Sequence, residues 1–128
     1  MAASTTRTDR TAIEELRAEY CYRFDSGDEP GILELFTEDA VLDPPGDDAA
    51  CEGREQLRNF FADSAAGEYV HSVHNPVITI DGDRAEGNWY FDAQLTAGDT
   101  TERIQVKTDG SWRFSVVRID VHLRIELR

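Results

Sequence analysis

Apolar residues in the first part of the chain recur every three or four positions, at Ile13, Leu16, Tyr20 and Phe24. That period predicts a helix starting near Asp9, capped by Asp9 or Thr11 and ended by Ser26-Gly27-Asp28. Residues 1–8 are polar and are expected to form a disordered tail before a single domain spanning 9–128. A second, short helix carries Ile32, Leu33, Leu35 and Phe36. Asp39-Ala40-Val41-Leu42-Asp43 reads as a strand, stopped by Pro44-Pro45-Gly46 and a polar loop through Asp48. A third helix, near Arg54 to Asp63, places Leu57, Phe60 and Phe61 on one side.

After Gly67 the period changes from helix to strand. Residues 70–91 predict a β-hairpin turning at Asp81-Gly82. A strand over Glu102–Lys107 follows, then a turn at Asp109-Gly110 and a long last strand from Trp112 to about Leu127. Three helices followed by four long antiparallel strands imply an α+β domain, with the helices covering one face of a curved sheet. A pocket between the two layers is the expected consequence.

At 128 residues the chain is long enough to bury a core without metal or disulfide support. No apolar run is long enough to span a membrane. The N-terminus lacks the apolar core of a signal peptide, so a cytoplasmic location is expected, with Cys21 and Cys51 reduced. With 26 acidic against 13 basic residues the formal net charge is −13, which argues against nucleic acid and anionic membranes as partners. Lys107 is the only lysine. Abundant carboxylate with almost no lysine resembles proteins from salt-rich cytoplasm. No metal site is expected from the spacing of cysteines and histidines, and no phosphate-binding glycine loop or nucleophile elbow occurs.

Two of the three histidines, His71 and His74, sit where the hairpin's first strand begins. Histidine is the side chain most easily tuned to move a proton near neutral pH. Three residues apart, the two point to opposite faces of a regular strand. The turn selects between them. A two-residue Asp81-Gly82 loop puts His74 on the face of Trp89 and Phe91. A three-residue loop with Gly82 in a bulge puts His71 there, alongside Val73, Asn75 and Val77. On the first helix, Asp25 lies at the edge of the apolar stripe, where its carboxylate can orient a histidine.

Several segments together resemble a family. Tyr20-Cys21-Tyr22-Arg23-Phe24-Asp25-Ser26-Gly27-Asp28, Leu35-Phe36-Thr37-Glu38-Asp39-Ala40-Val41 and Glu52-Gly53-Arg54-Glu55-Gln56-Leu57 are similar to the opening half of the nuclear transport factor 2-like superfamily. Asn75-Pro76-Val77-Ile78, Asp81-Gly82-Asp83-Arg84-Ala85 and Trp89-Tyr90 resemble its SnoaL-like branch. The resemblance implies a cone-shaped half-barrel with a deep pocket, three N-terminal helices on a mostly antiparallel sheet, and homodimerisation through that sheet. It covers polyketide cyclases, scytalone dehydratase-like lyases, ketosteroid isomerases and non-catalytic binders, so function rests on the site.

In scytalone dehydratase-like enzymes an aspartate at the place of Asp25 pairs with a histidine at the place of His71, and the resemblance therefore favours His71 over His74. The expected activity is that of a cofactor-independent lyase or isomerase acting on an apolar, oxygenated small molecule. His71 would shuttle the proton, Asp25 would orient it, and Tyr20 would hydrogen-bond a substrate oxygen, with Asn75, Trp89, Phe60 and Asp43 lining the substrate site. A second expectation is a non-catalytic ligand-binding or dimerisation module. A third is ketosteroid isomerase-like proton transfer, with Tyr20 as oxyanion donor and Asp43, just before a proline, as base. That family's second donor has no match in Glu102-Arg103-Ile104-Gln105-Val106. His122 is expected to be structural or at a dimer interface.

Overall fold

The computed structural model describes residues 2–44, 49–64, 70–93, 99–108 and 111–123. The apolar stripe of the first helix folds as expected: α1 spans Ala2–Asp25, with Ile13, Leu16, Tyr20 and Phe24 all buried. Its start differs, lying at Ala2 rather than Asp9, since neither glycine nor proline interrupts residues 2–8. Asp9 is not a cap. It accepts a hydrogen bond from Trp112 Nε1 at 3.2 Å, and Arg10 Nη2 donates to the Ile78 carbonyl at 2.9 Å, which pins the helix across the sheet.

A five-residue helix, α2 (Glu29–Leu33), follows, its start capped by the Asp28 carboxylate, which accepts from the Gly31 N–H. Leu35 and Phe36 leave the expected second helix. Phe36 opens strand β1 (Phe36–Asp43), and the Leu35 carbonyl accepts from Phe114 N–H at 2.8 Å. Cross-strand pairing outweighs the local helical period there. A two-residue strand β2 (Cys51–Glu52) and helix α3 (Gly53–Ser64) come next, then β3 (His71–Asp81), β4 (Arg84–Ala93), β5 (Asp99–Thr108) and β6 (Trp112–Leu123). The expected Asp109-Gly110 turn and the continuation of β6 beyond Leu123 lie outside the described residues.

The six strands form one mixed sheet in the order β2-β1-β6-β5-β4-β3. Neighbours are antiparallel except β1 and β6, which run parallel, with Leu42 opposite Val117. One face carries Ile78, Ala85, Trp89, Phe114 and Val117 against the helices. At its centre stands Tyr20, whose ring has Phe24, Phe36, Phe61 and Phe114 at centroid distances of 5.8–6.0 Å. Tilted and edge-on ring pairs of this kind add to the stabilisation from burial alone.

The β3–β4 hairpin contains the decisive irregularity. Asp81 pairs with Arg84, so the turn is the two-residue loop Gly82-Asp83, with Gly82 at φ +61 as its first central residue requires. From Asp81 to Val77 the pairing is regular, ending at Val77 opposite Asn88; beyond, His74 faces Tyr90 and Val73 faces Phe91. One extra residue on β3 is accommodated at Asn75-Pro76, with Asn75 in the left-handed region at φ +54. This β-bulge reverses which residues face inward.

Candidate active site at the end of the first helix

Because of the bulge, the inward residues of β3 are Ile78 and Ile80 on one side of Asn75-Pro76 and Val73 and His71 on the other. The turn alone would have paired His74 with Phe91 and turned it inward. The outcome is the reverse: His71 is partly buried and His74 is exposed beside Ser72. His71 therefore does share its face with Val73 and Phe91, by a different device from the three-residue turn. Two members of the expected set are corrected. Val77 is 64% exposed on the outer face, and Asn75, expected to line the substrate site, is an exposed bulge residue.

Asp25 closes α1 where the helix meets the start of β3. Its Oδ2 accepts from the His71 backbone N–H at 3.0 Å, and its Oδ1 lies 2.6 Å from His71 Nδ1. The carboxylate thus holds both the backbone and the ring of one residue. With Nδ1–H donating to Asp25, a neutral imidazole keeps its lone pair on Nε2. The side chains of His71 and Asp25 retain 11% and 22% of their exposure, so the pair lies near the surface of the core. Phe24 stands edge-on to the imidazole at 4.7 Å and Phe91 stacks on it at 6.3 Å.

Phe24 also packs against Tyr20 and so connects the pair to the aromatic centre. Tyr20 itself is 6% exposed. Trp89, 3% exposed, covers Gly87: a Cβ built on that glycine would lie 2.2 and 2.4 Å from two atoms of the indole ring. Phe60 is partly buried and packs on Phe61 at 5.4 Å. These aromatic residues are core as well as candidate lining. Asp43 ends β1 and alternates to the face opposite the fully buried Ala40 and Leu42, which turns it away from the Tyr20 cluster. The side chain of His122 lies outside the described residues.

Arg17 is the residue that the apolar period concealed. It is 1% exposed, donates from Nη1 to Cys21 Sγ at 3.2 Å and places its guanidinium 4.9 Å from the centre of the Tyr20 ring. The signal is present in the spacing: Ile13, Arg17, Cys21 and Asp25 form one i, i+4 ridge along α1. Cys21 and Cys51 are not joined in a disulfide. No group of three metal-ligating side chains occurs, and no helix is long and apolar enough to cross a membrane, among the described residues. A cavity of about 880 Å³ lies apart from the pair and is lined by neither Asp25, His71 nor Tyr20.

No curated protein matches the chain significantly. Among solved structures, a variant of Rv3472, a function unknown protein from Mycobacterium tuberculosis, superposes with a TM-score of 0.86 and 23% identity, covering 95% of this chain and 76% of that one. The hexachlorocyclohexane dehydrochlorinase LinA-type3 from Novosphingobium barchaimii superposes at 0.80 with 15% identity, over 95% of this chain and 92% of that one. A ketosteroid isomerase-like protein from Erwinia carotovora superposes at 0.71 with 17% identity, over 87% and 94%. At such identities the likeness is one of fold. A family model described as SnoaL-like domain matches residues 5–128. With a match of that extent, the chain belongs to the SnoaL-like domain family, and its three helices on one mixed sheet share the fold of an NTF2-like protein.

Proposed function

We propose that the protein is a cofactor-independent lyase or isomerase that uses Asp25 and His71 as an acid/base pair on an apolar, oxygenated small molecule. The observation that carries this reading is the two-point hold of Asp25 on His71, at 3.0 Å to the backbone and 2.6 Å to the ring. A carboxylate so placed selects the ring tautomer and stabilises the positive charge that develops when the imidazole takes a proton. Nε2 removes a proton from carbon. The released electron pair forms the new double bond, and the imidazolium returns its proton to a departing hydroxyl as water, or to another carbon in an isomerisation. Tyr20 donates to the substrate oxygen, and the rings of Phe24, Phe91 and Trp89 keep water away from the charge.

Elimination and isomerisation are also the reaction types that the dehydrochlorinase and the isomerase-like protein are named for. The Tyr20–Asp43 alternative has less support, because strand alternation directs Asp43 to the other face. A non-catalytic binding module is favoured by one observation: four rings enclose Tyr20, so the chain's own side chains occupy part of the space between the layers. Homodimerisation through the sheet belongs to the same family reading and is supported by Val77 and Tyr90, exposed on the outer face. Light scattering at graded concentrations tests it.

The reaction is tested by incubating the protein in D₂O with a panel of small hydroxy-ketones and following deuterium uptake at the α-carbon by NMR. His71→Ala and Asp25→Asn are each expected to lower the rate on a responsive compound by about 10²–10⁴-fold. Full activity in both variants excludes this mechanism.

A further inference from the structure

The sheet ends on β3 at one side and on β2 at the other. Strand β2 is two residues long and offers little to pair with, whereas β3 runs for 11 residues and bonds only to β4 among the described strands. The turn fixes which backbone groups of β3 are open. Residues flanking a two-residue hairpin loop exchange both hydrogen bonds, and the exchange then alternates along the ladder. Asp81 with Arg84, Thr79 with Glu86 and Val77 with Asn88 are therefore the bonded pairs. Ile78 and Ile80, between them, direct their N–H and C=O away from β4 to the open edge.

This edge is well suited to pairing. Val77-Ile78-Thr79-Ile80 is a run of consecutive β-branched residues without a charge, which favours extended structure. The side chains of Val77 and Thr79 are exposed. The run is bounded by the bulge and Pro76 on one side and by Asp81 on the other. Yet one of its outward groups is already occupied from elsewhere in the fold. The Ile78 carbonyl accepts from Nη2 of Arg10, an exposed residue of α1, at 2.9 Å. A hydrogen bond from a charged donor is stronger than a neutral one, and this one takes an acceptor that an added strand would need.

We propose that Arg10 guards the open edge of β3, and that without it a second copy of this chain adds to the sheet through residues 77–80. The segment is complementary to itself. Turned about a two-fold axis at Thr79, Ile78 of one copy lies opposite Ile80 of the other, and each pair exchanges N–H and C=O bonds. Arg10 competes with that exchange at both Ile78 carbonyls of the pair. Edge pairing is distinct from association through the sheet face, which uses side chains and leaves the edge amides open. It is also independent of the Asp25–His71 reading.

The test is analytical ultracentrifugation of the full chain over graded concentrations, at high salt so that the net charge of −13 does not hold copies apart. Arg10→Ala is expected to form a larger species than the wild type, at a concentration lower by about tenfold. Arg10→Lys keeps a donor and is expected to shift less. Adding Thr79→Lys to Arg10→Ala sets like charges opposite each other on the two-fold axis and should restore the wild-type size. Amide hydrogen exchange identifies the surface: Ile78 and Ile80 should slow in associated Arg10→Ala, while Val77 and Thr79, already bonded to β4, should not change. Asp9→Ala removes the neighbouring pin of α1 to Trp112 without freeing the Ile78 carbonyl and should behave as wild type. The proposal is overturned if Arg10→Ala keeps the wild-type size, if it associates without slowing at Ile78 and Ile80, or if Asp9→Ala associates equally. Circular dichroism confirms that each variant folds; Arg10→Gln, which retains a side-chain amide and helix propensity, takes the place of Arg10→Ala if the alanine variant does not, with the expected association in the same direction.

Discussion

The Asp25 carboxylate holds His71 at two points, accepting the backbone N–H at 3.0 Å and lying 2.6 Å from ring Nδ1. One contact joins the end of α1 to the first residue of β3, and the other sets the ring. A side chain that ties down both the backbone and the ring of its partner defines orientation more sharply than either bond alone. This geometry has a consequence that needs no substrate. The imidazole nitrogen shifts in ¹⁵N NMR should report a proton on Nδ1 and none on Nε2 when the ring is neutral. In Asp25→Ala the Nε2–H tautomer is expected to gain population. An unchanged tautomer ratio excludes Asp25 as its determinant.

The bulge at Asn75-Pro76 governs which histidine faces inward. Deleting Asn75 removes the extra residue and is expected to turn His71 out of its contact with Asp25, visible as loss of its Nδ1 hydrogen-bond signature. Point substitutions test the backbone separately. Asn75→Val forces a β-branched residue to φ +54 and is expected to cost about 1–2 kcal/mol. Asn75→Gly should shift stability by less than about 1 kcal/mol. Urea denaturation of the three proteins measures both.

Gly87 is a second position where backbone and ring meet closely. A Cβ there would come within 2.2 Å of the Trp89 indole, which is buried and has little room to move. Gly87→Ala should destabilise the domain by about 1–3 kcal/mol. Equilibrium unfolding gives the magnitude, and a red shift of the Trp89 emission would show the ring displaced toward solvent.

Arg17 is a charged residue packed as core. Arg17→Ala removes the stem that fills space beside Tyr20 and the donor to Cys21 Sγ, and should cost about 2–5 kcal/mol. Arg17→Lys keeps the charge and loses the planar face over the ring, so it should cost less than the alanine variant but remain measurable. Thermal unfolding of the two variants checks the order.

Much of the fold was legible because it rests on local patterns. The Ile13, Leu16, Tyr20 and Phe24 period located α1, Leu57 and Phe61 located α3, and the alternation around Asp81-Gly82 located the hairpin. Element ends were less legible. Phe36 has the period of a helix and the partner of a strand, and only Phe114, 78 residues away in the chain (114 − 36), resolves the conflict. The parallel pairing of β1 with β6 has no local signature either, since a parallel neighbour is separated by a long crossover.

The site divides in the same way. The sequence by itself determined the residue types and their places on the elements: an acid at the end of the first helix stripe, and two histidines of opposite parity at the start of a strand. Strand alternation and turn geometry left the choice between them open, the family resemblance favoured His71, and tertiary structure supplied the physical reason that this histidine meets the acid. Strand parity is a running count, and one inserted residue at Asn75-Pro76 reverses it for every position beyond. The two-residue turn favoured His74, the bulge undid that preference, and His71 reached Asp25. Arg17 was hidden for a related reason: a charge in an apolar stripe reads as solvent-facing until the ring of Tyr20 and the thiol of Cys21 are seen beside it. Periodicity reports where a side chain points, and the company it finds there depends on residues far along the chain.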